Sequence, residues 1–187
     1  MTKIAIVYHS GYGHTKRQAE AVQEGVARVA GVTATLYPVE GLDEAQWAEL
    51  DAADALIFGS PTYMGTLSAK FKVFMEESSR RWYSRTWQDK VAAGFTVSAS
   101  QSGDKLNTLV DLMIFANQHG MIWIGLDLLP GNNSSTGSVN DLNRLGRYAG
   151  AMAQANADQD ASAMLESDLS TAARLGERVA QLTGRLK

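Results

Sequence analysis

The chain has 187 residues, 45% hydrophobic and 20% charged, with a net charge of -3, the proportions of one ordinary soluble domain. It contains no Cys, which excludes disulfides, thiol catalysis and thiolate metal sites and fits a reducing compartment. Weak acidity argues against a nucleic-acid partner, the three His leave little for a metal centre, and no stretch approaches the ~18 apolar residues of a spanning helix. The expectation is a cytoplasmic protein with no membrane partner and no metal.

Lys3–Tyr8 is a short, β-branched apolar run, as in a strand buried on both faces of a parallel sheet. After the polar loop His9–His14, the residues Ala19, Val22, Val26 and Val29 recur at helical spacing, and Gly31 is expected to close that helix. Val32–Tyr37 reads as a second strand and Glu44–Leu50 as a short helix. Ala55–Gly59 is a third buried strand ended by Pro61, and Leu67, Phe71 and Phe74 mark one face of the next helix. Val91–Ser98 is a fourth strand, Leu106, Leu109, Val110, Met113 and Ile114 form a helical stripe, and Met121–Leu126 is a fifth strand. Leu169, Ala172, Gly176, Val179 and Leu182 set the face of the last helix.

Strands alternating with helices imply right-handed crossovers. The predicted fold is α/β, a doubly wound five-stranded parallel sheet with helices on both faces, in a single domain spanning 1–187. Residues 127–160 break the alternation: 130–138 is a Gly/Asn/Ser-rich loop, and Tyr148–Gln154 is compatible with helix or strand.

In open parallel sheets ligands bind outside the carboxyl ends of the strands. Three loops leave those ends. The first, Ser10, Gly11, Tyr12, Gly13, His14 and Thr15, joins a strand to a helix and offers free N–H groups and hydroxyls to a phosphate. It lacks the Gly-Lys-Ser/Thr of a P-loop and the third glycine of the dinucleotide fingerprint, so a phosphate there points to a mononucleotide. The second, Pro61, Thr62, Tyr63, Met64 and Gly65, can cover a flat apolar ring. The third, Ser98, Ala99, Ser100, Gln101, Ser102 and Gly103, can present N–H groups to an electron-rich ring edge. Each loop alone also reads as an ordinary surface turn; together they have the parts for a flavin mononucleotide (FMN).

The chain resembles the flavodoxin-like superfamily, and within it the NAD(P)H:quinone oxidoreductases of the tryptophan-repressor-binding-protein type. Ser10–His14 resembles that group's phosphate loop, Asp54–Thr62 its third strand and ring-cover loop, Lys90–Gly103 its fourth strand and flavin loop, and His119-Gly120-Met121 its His-Gly-Met triplet. Tyr148–Gln154 resembles a Tyr-Gly-Ala-rich segment of the family, which favours an extended conformation there. Two departures stand out: Tyr63-Met64 replaces the family's Arg-Phe, and the segment Gly41–Asp51 lacks the family's insertion.

The resemblance implies a homo-oligomer, dimer or tetramer, that binds FMN and reduces quinones with NAD(P)H as co-substrate. Hydride would enter and leave in two half-reactions of a ping-pong cycle, with quinone and nicotinamide as the small-molecule partners. His119 is the candidate for polarising or protonating the quinone oxygen, against the alternative of a helix C-terminal histidine. Trp82 is the candidate lid, possible across a subunit interface, against ordinary edge packing. Arg80, Arg81 and Arg85 form a basic cluster that is either a nicotinamide-phosphate contact or a solvated surface. A flavodoxin-type electron carrier, an FMN reductase or azoreductase, and a non-redox binding module remain as alternatives.

Overall fold

The structure is a computed structural model and describes residues 1–186. Its sheet runs β2 (Val32–Pro38), β1 (Thr2–Tyr8), β3 (Ala55–Tyr63) and β5 (Val91–Ser98), all parallel. The far edge is shared by two short strands. β6 (Ile122–Trp123) pairs with Val91 and Ala92, and β7 (Ala151–Gln154) pairs with Phe95 to Ser98. The fifth strand position is therefore split, and residues 124–150 leave the sheet between its two halves. This corrects the expected strand Met121–Leu126. Ile124 N–H still donates to Ala92 O at 2.7 Å, but Leu126 N–H donates to Tyr148 O at 2.8 Å, so the chain has peeled away.

The period of two along each central strand divides the core. Ile4, Ile6, Tyr8, Ala55, Ile57, Val91, Ala93 and Phe95 face α1 (His14–Val26) and α6 (Glu166–Leu186). Ala5, Val7, Leu56, Phe58 and Ala92 face α2 (Glu44–Ala52), α3 (Ala69–Glu77) and α5 (Lys105–Gln118). The second side is aromatic: Phe58, Phe71, Phe74, Trp47, Trp87 and Phe115 pack with ring centroids 5.2–6.5 Å apart. Each such side chain stabilises by roughly 1.5–3 kcal/mol on burial. No helix among the described residues is long and apolar enough to cross a membrane.

Several boundaries differ from expectation for local reasons. α1 ends at Val26, and the chain turns through 27–30 before Gly31 adopts φ 78°. Leu67 belongs to β4 (Thr66–Leu67), an antiparallel partner of the end of β3, and α3 starts after Ser68, whose hydroxyl accepts from Phe71 N–H. The helix α4 (Ser79–Tyr83) then carries Trp82.

Candidate functional site

Helices in a parallel α/β sheet start at the carboxyl edge of the strands. Of those that start there, α1, α2, α3 and α5 begin with different chemistry. α2 is sealed by a capping box, in which Gln46 N–H donates to Asp43 Oδ1 at 2.8 Å and Asp43 N–H to Gln46 Oε1 at 3.0 Å. α3 is sealed by Ser68. α1 and α5 have no side-chain cap, and no acidic residue occupies their first turns. At α1 the N–H groups of His14 and Thr15 have no protein acceptor among the described residues and are open to a ligand, whereas at α5 Lys105 N–H donates to Ser102 O at 3.4 Å and Asn107 N–H to Asp104 O at 3.0 Å.

Beside the start of α1, among the carboxyl ends of β3, β5 and β7, lies a cavity of about 420 Å³. Tyr12, His14 and Thr15 line it from the first loop; Pro61, Thr62 and Tyr63 from the end of β3; Val97, Ser98 and Ala99 from the end of β5. Ala155 and Ala157, just beyond β7, complete the wall. The volume falls within the ~300–1,000 Å³ of small-ligand sites, and the walls are largely apolar, as such sites are.

The first loop curls so that its N–H groups stay free. Ser10 Oγ accepts Lys16 N–H at 3.1 Å, and the first loop-to-helix bond is Arg17 N–H to Gly13 O at 2.9 Å. Among the described residues, the N–H groups of Gly11, Tyr12, Gly13, His14 and Thr15 donate to no protein acceptor. Gly11 is held close to the second loop: a Cβ on it would collide with the Tyr63 hydroxyl. His14 is turned sideways, its Nε2 bonded to Gln159 O at 2.9 Å, so its ring forms part of the wall.

The second loop is a two-residue hairpin between β3 and β4. Met64 and Gly65 both take positive φ, 48° and 84°, as this kind of turn requires. Gly65 does so without strain and its carbonyl accepts from Asn107 Nδ2 at 2.9 Å. Met64 is fully exposed at the tip. The Thr62 hydroxyl is consumed internally, at 2.8 Å from both Thr96 Oγ1 and Thr108 Oγ1.

The third loop has a second row of free N–H groups. Among the described residues, those of Ala99, Ser100, Gln101, Ser102 and Gly103 have no protein acceptor. Its carbonyls from Ser98 to Ser102 are turned to donors, and the buried Lys105 ammonium contacts Ser98 Oγ, Ser100 O and Gln101 O. Burial pushes the Lys105 amine down to about 8.

The structure does not bring His119 or Trp82 to this cavity. Both sit at the opposite edge of the sheet, where β5 begins; a strand rises ~3.3 Å per residue, so Val91 and Val97 are about 20 Å apart. His119 is 2% exposed, its Nε2 is 3.0 Å from Ser78 Oγ, and its ring lies 4.5 Å from Trp87 and 4.9 Å from Phe115. Burial, with Arg85 adding to it, lowers its pKa to about 4, so it is neutral at ordinary pH. The role of proton donor to a quinone therefore has no geometric support in this chain. Trp82 is half exposed on α4, and could cover a cavity only in a second copy. Two of the three nearby arginines have structural partners: Arg81 Nε donates to Asp51 at 3.0 Å with its guanidinium 4.1 Å over Trp47, and Arg85 donates to Gln118 O at 3.1 Å.

Sequence reasoning missed Val97, Ala155, Ala157 and Lys105. The signal for the alanines was the expected extended segment ending at Gln154, since its exit is one more carboxyl-end loop. The signal for Lys105 was its spacing, four residues before Leu109 on the buried face of α5.

Comparison with known proteins agrees with this architecture. The family described as NADPH-dependent FMN reductase matches residues 13–130. A flavodoxin of Pseudomonas aeruginosa, FldP, is 43% identical over 100% of this chain and 99% of its own length. An NAD(P)H dehydrogenase (quinone) of Archaeoglobus fulgidus is 31% identical over the whole of both chains. A crystal structure of a flavodoxin, WrbA-like protein from Agrobacterium tumefaciens, is 44% identical, covers 100% of both chains and superposes with a TM-score of 0.80.

Proposed function

Because this chain belongs to the NADPH-dependent FMN reductase family, among the flavodoxin-like NAD(P)H:quinone oxidoreductases, we propose that it uses FMN and NAD(P)H to reduce quinones by two electrons in a ping-pong order. The observation that carries this reading is the pairing of two free N–H rows with one apolar-walled cavity. One row suits a phosphate dianion and the other the acceptor-rich edge of a flat ring. Bound FMN supplies the hydride chemistry, as cofactors of this kind do.

The chain's own residues bind and orient. N–H groups from Gly11 to Thr15 hold the phosphate at the positive end of α1. Pro61, Val97, Ala155 and Ala157 exclude water from the ring, and Tyr12 and Tyr63 border it with hydroxyl-bearing aromatic faces. The 99–103 loop, which enters the cavity wall at Ala99, would offer its N–H groups to the ring edge. Met64 at the hairpin tip is an apolar surface for substrates entering the open side. Nicotinamide and quinone then use the same opening in turn. Trp82 enters the site only if a second copy presents it.

A second reading, an electron carrier, is favoured by the 43% identity to a protein named flavodoxin. A carrier docks on partners through strong negative charge, and -3 over 187 residues is weak for that. Steady-state oxidation of NADH and NADPH with benzoquinone on the FMN-loaded protein separates the two. The expected result is turnover with parallel double-reciprocal lines. If neither nicotinamide reduces the bound flavin, the oxidoreductase reading fails and the carrier reading replaces it.

A further inference from the structure

We propose that Lys105 is the positioning residue of the ring-edge site: its buried ammonium holds the carbonyls of Ser100 and Gln101 and the Ser98 hydroxyl inward, turns the N–H groups of the following peptides toward the ligand, and favours the ring edge in its electron-rich, reduced form. The proposal rests on the FMN reading above and adds a residue to it.

The geometry is specific. Lys105 is 1% exposed. Its Nζ donates to Ser98 Oγ at 2.8 Å, to Ser100 O at 2.7 Å and to Gln101 O at 3.0 Å. Ser98 Oγ passes a further bond to Ser100 O at 3.1 Å. On the neighbouring peptides, Ala155 N–H donates to Ser98 O at 3.2 Å and Gln154 Nε2 to Ala99 O at 3.1 Å. Four consecutive carbonyls, 98 to 101, are thus tied to donors. The peptide bonds of 98–102 are trans, and in a trans peptide the N–H points opposite the C=O of the same unit. The N–H groups of 99 to 102 must therefore face away from Lys105, Gln154 and Ala155, and none of them has a protein acceptor among the described residues.

Stability alone does not account for a lysine here. Burying an ammonium is costly, as its lowered pKa reflects. Asp168 facing it favours the charge while Arg144 and Arg147 oppose it. An apolar side chain on this face of α5 would pack beside Leu109 at no such cost. What the ammonium provides is three hydrogen bonds to one loop and a positive charge directly behind that loop, next to the lining residues Ser98 and Ala99.

The test uses Lys105→Met, which keeps the volume and removes charge and donors, and Lys105→Gln, which keeps donors without charge. Dissociation constants for FMN and for riboflavin are measured by flavin fluorescence, and the midpoint potential of bound FMN by dye-coupled titration. Lys105→Met is expected to weaken FMN and riboflavin alike by at least tenfold, because riboflavin lacks the phosphate and reports the ring end only. Reduced flavin should lose about tenfold more than oxidised, a fall of about 30 mV for a two-electron couple. Lys105→Gln should recover part of the oxidised-FMN affinity and none of the potential. Should the Met variant not fold, the potential of the Gln variant decides. The proposal is overturned if a folded variant keeps wild-type affinity and potential, or if both redox states weaken equally. A wild-type protein that takes up no FMN overturns both this and the cofactor reading; a wild-type that binds it beside an unchanged variant overturns this one alone.

Discussion

The two ends of the sheet are built on opposite plans. At the end where the strands start, several reactive-looking side chains are engaged in structural contacts. Trp87 Nε1 donates to Asp51 Oδ1 at 2.8 Å, Arg81 holds the same carboxylate, and His119 is bonded to Ser78 inside an aromatic cluster. At the end where the strands finish, the cavity walls are largely apolar and two loops carry rows of backbone N–H groups without protein acceptors among the described residues. A site that recognises its ligand by backbone donors needs little catalytic equipment of its own. That suits a chain with no Cys and three His, where a bound cofactor carries the chemistry.

The comparison breaks most severely at the foundation of the cavity end. Asp168 accepts from Arg144 Nε at 2.8 Å, from Arg144 Nη2 at 2.7 Å and from Gln154 N–H at 2.9 Å, all out of water. Removing the carboxylate leaves Arg144 as an uncompensated buried charge. Asp168→Ala should cost about 3–5 kcal/mol in chemical denaturation and loosen the 98–101 carbonyls through Gln154. Asp127 pairs with Arg174 and Arg178 in a more exposed setting, so Asp127→Ala should cost about 1 kcal/mol or less. Equal losses in the two variants would remove the distinction.

His119 sharpens the same contrast from the opposite end through pH. Its folded pKa, about 4, lies below its ordinary 6.5 because burial, then Arg85, disfavour the imidazolium. A base with a depressed folded pKa contributes stability that is complete above 6.5 and is lost as pH falls from 6.5 through 4. The full shift corresponds to about 3 kcal/mol. Asp127 and Asp160 have lowered pKa values and lose their contributions only below the usual carboxylate range, so the windows separate. Denaturant titrations of the wild type should show this loss between pH 6.5 and 4; His9, whose imidazolium burial also disfavours, adds to the same window, so His119→Phe should reduce the slope without abolishing it. An unchanged slope in the variant would mean that the imidazole is not titrating in that core.

Much of this layout was legible in the chain, and the failures have identifiable causes. The buried strands Lys3–Tyr8, Ala55–Gly59 and Val91–Ser98 announce themselves because both faces are apolar. The Met121–Leu126 run was equally apolar, but hydrophobicity reports burial and not pairing, and only Ile122 and Trp123 pair with β5. His119 and Trp82 were placed by motif, whereas chain order already located His119: a residue preceding a parallel strand lies at the edge away from the ligand end. Lys105 carries no motif, and a charged residue beside a polar loop ordinarily reads as solvated. Its spacing from Leu109, Leu112 and Ala116 put it on the buried face of α5.

The smallest predicted effect probes how the first two loops are fitted together. A methyl group on Gly11 would occupy the place of the Tyr63 hydroxyl, so one of the two must give way. Overpacking of this kind costs roughly 1–3 kcal/mol, and because Tyr63 lines the cavity the cost falls on the ligand as well as on the fold. Gly11→Ala is expected to weaken FMN by about tenfold, about 1.4 kcal/mol. Tyr63→Phe, which deletes only the hydroxyl, should change it by about threefold or less. Contacting residues are not additive, so the double variant should bind more tightly than Gly11→Ala alone. If Gly11→Ala costs the same with Phe at position 63, the loss comes from the phosphate row itself and the hairpin is not held in place through this contact.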